Sequence, residues 1–379
     1  MKGKQGMVCM GLLLVLSSCS CHTGKQITAS GLQRKDFQTE VNGQHTDLFT
    51  LSNKQGMEVC ITNYGARVVS ILVPDRNGKR EDVVCGFSTI TEYMEQRQNF
   101  GSTVGRYIGR ILNARFTLDG VEYKLVPNNG KSGHISHGGN PGFADRIWKV
   151  EQADTHRVRL SYLSPDGENG FPGNLKVTLV YSLGEDDNAL DLTYEATTDA
   201  PTVLNLSHHS FFNISGNFTK SVEDQQLWVD ADRFTPYDDK KCVTGEYLPV
   251  AGTPLDFRMP HAIGECIDAD HPQLKVVNGY DHTWELNTKG DDTRPAAWVY
   301  DPASGRKMEI FTTEPGMQIY TGNGLKGKMT GKGRIAYPFR SAVCFETMHF
   351  QDSPNQPGFP STVLRPGEVF RSHTVYKFE

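Results

Sequence analysis

The chain has 379 residues, with 39 Lys+Arg against 44 Asp+Glu and a formal net charge of −5. That balance lacks the basic excess of a nucleic-acid binder, and 37% hydrophobic with 22% charged residues is too apolar for chain-wide disorder. The mean hydropathy of −0.46, with a single long apolar run at the N-terminus, excludes a polytopic membrane protein.

The N-terminus reads as an address. Lys2 and Lys4 precede an apolar stretch from Met7 to Leu16, the length of a signal-peptide core and too short for a stable span. Leu16-Ser17-Ser18-Cys19 then resembles the bacterial lipobox, in which a cysteine is lipidated and becomes the mature N-terminus. An ordinary secretory signal cut nearby is the alternative. The expected organisation is a signal peptide over 1–18, a polar tether over 19–40 and a folded body over 41–379. Membrane contact would run only through a lipid on Cys19, on the extracytoplasmic face of a bacterial membrane. Of eight cysteines, six follow the processing motif, and they form no CxxC pattern. Cys60, Cys85 and Cys344 sit in strand-like runs and read as small buried hydrophobes.

The body reads as β throughout. Val68 to Val73 and Asp82 to Cys85 flank Asn77-Gly78, a hairpin signal because both turn positions accept positive φ. Phe116 to Leu125 repeats the device around Asp119-Gly120. Arg157 to Leu163, Leu175 to Leu183 and Leu190 to Ala196 alternate with period two. Trp298 to Tyr300 and Lys307 to Phe311 form a further hairpin. Ile90 to Gln96 is the best helical candidate. Length alone suggests two to three domains of about 150 residues, but no repeat, low-complexity tract or linker divides the body. The pattern predicts an all-β fold, one large sandwich or barrel-like domain.

Five polar clusters interrupt these strands. Gly105-Arg106-Tyr107-Ile108-Gly109-Arg110 lacks the strand–GxGxxG–helix order that phosphate binding needs. Gly133-His134-Ile135-Ser136-His137 offers two histidines without a third ligand at a metal spacing. In Asn205-Leu206-Ser207-His208-His209, adjacent strand residues face opposite sides, so at most one histidine enters a given pocket. Gly252 to Arg258 carries Asp256, with Gly279-Tyr280-Asp281-His282 downstream. Glu346 breaks the apolar run Val343-Cys344-Phe345, where burial would raise a carboxyl pKa and suit a general base. Each cluster alone has a purely structural alternative. Together, histidines, a carboxylate and aromatic residues without a nucleotide or metal motif point to acid/base chemistry on a polar small molecule such as a sugar.

The ordered set GRYIGRILNARFTLDG, HISHGG, NLSHHSFFNISG, GTPLDFR, GYDH, GMQIYTGN and FETMHFQDSPNQP, with a closing LRPGEVFRSHTVYKF, resembles the aldose 1-epimerase (galactose mutarotase) family. The resemblance runs from about Asn63 to the end of the chain. It implies a large β-sandwich of the galactose mutarotase type over 41–379, no cofactor, no metal, a monomer or dimer, and interconversion of the α and β anomers of an aldohexose. Glu346 then matches the general base at the anomeric hydroxyl, and His209 the general acid at the ring oxygen. The pair would act with His209 protonated and Glu346 ionised. His137 matches the second, sugar-binding histidine, while Arg110, Asp256 and Gln318 match residues that hold sugar hydroxyls.

The chain departs from the family pattern at Gly109 (usually Asn), His208 (usually Asn), Ser136 (usually Leu) and in its lipoprotein signal. These changes spare the acid/base pair and bear on sugar preference. Two rival readings share the residues. One is a non-catalytic glycan-binding surface lipoprotein, and the other a glycoside hydrolase using Asp256 and Glu346 as its carboxylates.

Overall fold

The computed structural model describes residues 26–379. The expected signal peptide and Cys19 lie outside the described residues. Antiparallel strands dominate. A nine-stranded sheet runs in the spatial order Lys149–Ala153, Arg157–Ser164, Leu175–Leu183, Ala189–Thr198, Phe370–Phe378, Lys307–Thr312, Ala297–Tyr300, Gln226–Val229, His261–Ala262. A six-stranded sheet follows the order Phe211–Phe212, Val343–Met348, Gly316–Tyr320, Asp281–Glu285, Arg233–Thr235, Leu248–Pro249. A four-stranded meander, Leu48–Ser52 to Arg80–Asp82, joins the same core. This is the single-domain all-β sandwich that the sequence predicts.

Local chemistry explains the elements. Asp119 (φ +51°) and Gly120 (φ +79°) take the two left-handed turn positions between Arg115–Leu118 and Val121–Lys124. The helix Ile90–Gln96 starts at a capping box, in which Thr89 accepts from the Glu92 amide and Glu92 returns the bond to Thr89. Leu175–Leu183 has the bounds predicted from its alternation.

Alternation also decides which residues meet the second sheet. In Val343–Met348, Val343 and Phe345 belong to the main core. Thr347 Oγ1 lies 2.7 Å from Thr374 Oγ1, and the Phe345 carbonyl accepts from Tyr376 Oη at 3.0 Å. Both contacts reach Phe370–Phe378 of the nine-stranded sheet. Met317 and Ile319 face the same core from Gly316–Tyr320. Each such buried side chain contributes about 1.5–3 kcal/mol of hydrophobic stabilisation. Intervening residues of both strands necessarily face the other way.

The folded body starts before residue 41. Residues 26–40, expected to be tether, pack onto the meander: Leu32 and Phe37 are buried. The Glu58 carboxylate accepts from the Ala29 and Ser30 amides, and Arg34 pairs with Asp47. The segment is polar in composition, but two apolar anchors and these bonds suffice to fix it. Cys60, Cys85 and Cys344 are buried as expected, and they are free thiols, as are Cys242 and Cys266. No helix among the described residues is long and apolar enough to cross a membrane.

Candidate active site

The outward face of the six-stranded sheet carries a polar pocket of ≈ 250 Å³. Three neighbouring strands build its floor. Glu346 and Gln318 are directly opposite each other, and Gln318 is opposite Thr283. Asp281 sits diagonally from Gln318 on the same face, where its Oδ1 accepts from Gln318 Nε2 at 2.6 Å. Thr283 Oγ1 donates to Gln318 Oε1 at 2.5 Å. With both ends of its amide engaged, Gln318 has one orientation.

Loops and short strands supply the walls. Ser207–His209 pairs with Ser102–Val104, which brings His209 beside Glu346: Nε2 lies 3.3 Å from Oε1. Phe211 stacks under the His209 ring at 5.1 Å between centroids. His137 meets His209 edge-on at 5.5 Å. A tight turn places His137, which has φ +52° and donates its amide to the Gly109 carbonyl at 2.9 Å. Arg110 lines the pocket with Asp281 and Gln318. Beneath the wall, the buried Arg67 donates to the carbonyls of Gln98 at 2.6 Å, Phe100 at 3.1 Å and Ala144 at 2.7 Å. One guanidinium thereby ties two wall segments to the meander.

Burial sets the protonation states. It pushes the Glu346 carboxyl well above its ordinary value, and Asp281 adds in the same direction. Burial likewise drives His209 well below the usual histidine range, with His137 contributing. His137 falls to about 4, through burial and then the nearby Arg110. Both shifts run in one direction: burial favours the proton on the Glu346 carboxyl and disfavours a charged His209. Desolvation thus acts against the ion-paired form expected from charge attraction alone.

Of the predicted site residues, Glu346, His209, His137, Arg110 and Gln318 converge on this pocket. Asp256 does not. Leu255 and Phe257 are buried in the core, whereas Asp256 is outside the pocket lining and its carboxylate is held by Arg258 through two bonds of 2.8 Å. Asp281 is the aspartate in the pocket instead. The predicted hydrolase pairing of Asp256 with Glu346 therefore has no common pocket. His134 is also elsewhere: its Nδ1 accepts from the Asn113 amide at 2.9 Å, and Nε2 faces Cys242 Sγ at 3.3 Å. The adjacent histidines divide as strand geometry requires. His208 lies inside, with Nε2 2.6 Å from Ser210 Oγ and its ring against Tyr181 and Tyr376.

Sequence reasoning missed Asp281, Asn99 and Gln351 as lining residues. Asp281 stands in the GYDH motif, so its signal was present. Gln351 likewise stands in FETMHFQDSPNQP, and it explains Gly109. A Cβ at residue 109 would come within 2.6 Å of Gln351 Cγ. Gln351 Oε1 accepts from the Arg110 amide at 3.3 Å, and Nε2 donates to Tyr237 Oη at 2.6 Å. An amide side chain is thus present beside Arg110, supplied from a different strand end.

Comparison with known proteins agrees with this geometry. The aldose 1-epimerase family profile matches residues 47–377. Galactose mutarotase of Sus scrofa is 38% identical over 330 residues, 87% of this chain and 93% of the relative. Aldose 1-epimerase of Escherichia coli K12 is 36% identical over 339 residues, 89% and 96% of the two chains. Among solved structures, an aldose epimerase homologue from C. elegans superposes with a TM-score of 0.81 at 30% identity, covering 88% of this chain and 99% of the other. Galactose 1-epimerase from Lactobacillus acidophilus NCFM gives 0.78 at 28% identity, covering 90% and 97%. By sequence, fold and the match along its length, this chain belongs to the aldose 1-epimerase family.

Proposed function

We propose that the protein interconverts the α and β anomers of aldohexoses such as galactose and glucose by general acid/base ring opening. The observation that carries this reading is the contact of His209 Nε2 with Glu346 Oε1 at 3.3 Å inside a polar pocket. The anomeric hydroxyl oxygen and the ring oxygen are both bonded to C1. Two proton-transfer groups in contact can therefore address both oxygens at once. Glu346, in its ionised form, takes the hydroxyl proton as the bond from C1 to the ring oxygen breaks. His209 gives its proton to the departing ring oxygen. The resulting open-chain aldehyde turns about C1–C2, and the former ring hydroxyl attacks the other face of C1. It returns its proton to His209, while Glu346 reprotonates the aldehyde oxygen. Both groups end as they began. Arg110, His137, Gln318 and Asp281 would hold the remaining hydroxyls and keep the sugar in place during the turn.

The lipobox-like Leu16-Ser17-Ser18-Cys19 supports an extracytoplasmic lipoprotein anchored through Cys19. A membrane-tethered domain handling neutral sugars suits the mild net charge of −5. Polarimetry with freshly dissolved α-galactose and α-glucose tests the activity: equilibration faster than the uncatalysed rate is expected, and tight binding without acceleration would favour the glycan-binding alternative. Fractionation of cells expressing Cys19→Ala tests the anchor. The variant should leave the membrane fraction, and unchanged membrane association would refute lipidation at Cys19.

A further inference from the structure

A second cleft, of ≈ 280 Å³, opens beside the ≈ 250 Å³ catalytic pocket. The two share a wall, because Asn99, Ser136 and His137 line both. Beyond that wall the cleft is bounded by Arg97, Asn129, Asn140 and Asp145. These groups offer donors and acceptors in comparable measure, which a hydroxyl-rich ligand requires.

The cleft is held in shape from several sides. Arg97 Nη1 donates to Asn140 Oδ1 at 3.1 Å. That bond fixes the Asn140 oxygen towards the arginine and turns its NH₂ away as a donor. Asn128 clamps Ser136 in the shared wall: its Oδ1 accepts from the Ser136 amide at 2.7 Å and its Nδ2 donates to the Ser136 carbonyl at 3.0 Å. Arg67, which holds Gln98 and Phe100 on one rim, also holds Ala144 on the other. Arg97 and Asp145 together bring one positive and one negative charge, so the lining favours a neutral ligand over a phosphate dianion.

The acid/base assignment sets the ring oxygen of a sugar beside the wall that borders this cleft, and the inference rests on that assignment. The ring oxygen lies at His209, whose ring meets His137 edge-on. The ring oxygen joins C1 to C5, and C5 bears the exocyclic C6. C6 thus lies two bonds from the oxygen at His209, and the space past His137 is within reach of a group attached there. We infer that this cleft is a second sugar subsite, which takes the glycosyl group of a reducing 1→6-linked disaccharide whose reducing end occupies the catalytic pocket.

The test compares anomerisation of glucose, isomaltose (1→6), maltose (1→4) and glucose 6-phosphate by wild type, Asn129→Trp and Arg97→Ala. Asn129 lies in the cleft and outside the catalytic pocket. Wild type should show a KM for isomaltose about ten-fold below that for maltose, the worth of one or two added hydrogen bonds. Asn129→Trp should erase that advantage while leaving glucose turnover unchanged. Equal KM values for the two disaccharides in wild type would overturn the subsite. So would an equal loss on glucose and isomaltose in Asn129→Trp. A preference for glucose 6-phosphate that disappears in Arg97→Ala would make the cleft an anion site instead. Turnover of glucose without linkage preference refutes the subsite alone, whereas no turnover of any sugar refutes the acid/base reading beneath it as well.

Discussion

The two faces of the six-stranded sheet are made by the same strands and have opposite chemistry. On Val343–Met348, Phe345 enters the core while Glu346, one residue on, enters the pocket. On Gly316–Tyr320, Met317 and Ile319 are core and Gln318 is pocket. Ser207–His209, a wall strand paired with Ser102–Val104 outside that sheet, divides in the same way: His208 packs between Tyr181 and Tyr376 while His209 meets Glu346. Position along a strand thus sorts pocket side chains from core side chains, and the sheet that stabilises the fold also fixes the pocket groups against movement. The core face beneath holds the pocket face rigid, which acid/base chemistry requires.

The sharpest way to break this comparison is to make the same change on each face. His209→Asn should lower kcat/KM by roughly 10²–10⁴-fold with little change in Tm. His208→Asn should do the reverse, because it loses a buried bond to Ser210 and ring packing against two tyrosines. It should cost about 1–3 kcal/mol of stability and leave kcat per folded molecule within a few-fold. Equal catalytic losses in both variants would contradict the division. Phe345→Ala extends the test to the core side: about 3–5 kcal/mol of destabilisation in chemical denaturation, with the folded fraction still active. A stable, inactive Phe345→Ala would show that the faces are not separable in this way.

A smaller effect separates the two aspartates. Asp281→Asn changes the partner of Gln318 and a neighbour of Glu346, so KM should rise about ten-fold. Asp256→Asn, which disturbs only an exposed-edge pair with Arg258, should stay within two-fold in steady-state kinetics. A larger loss at Asp256 than at Asp281 would restore the sequence-based assignment.

The pH profile distinguishes a buried pair from an exposed one. With one shared proton, the active form persists between the His209 and Glu346 titrations. Burial lowers the first from 6.5 and raises the second from 4.5. Loss of the shared proton from Glu346 would remove the acid and set the basic limb, so kcat/KM should hold as pH rises through 6.5. Ordinary values would instead make activity decline as pH rises through 6.5, when an exposed His209 loses its proton. Measuring kcat/KM from pH 4 upwards decides between these signs.

The strand pattern made much of this legible. Alternation and the Asp-Gly and Asn-Gly turns gave the sandwich, and the adjacent histidines implied that one would face inward. The lone carboxylate in an apolar run marked Glu346. Three things were not legible, for physical reasons. Asp256 and Asp281 both stand in polar, turn-rich settings, and only the fold shows that Asp256 is tied to Arg258 while Asp281 is tied to Gln318 in the pocket. Gln351 fills space left by Gly109, a relation between residues 242 positions apart that no local pattern carries. The packing of residues 26–40 depends on Leu32, Phe37 and the distant Glu58, within a segment whose composition is that of a linker.

The central claim is that Glu346, on the pocket face, moves the proton that opens the ring. The direct test is the rate of α-to-β interconversion of galactose followed by polarimetry, for wild type and Glu346→Gln at matched folded concentration. Gln keeps the size and hydrogen-bonding reach of the side chain but cannot accept the proton. Interconversion by Glu346→Gln reduced at least about 10²-fold, with Tm and galactose binding retained, is the result expected. Wild-type rates in Glu346→Gln would contradict the account.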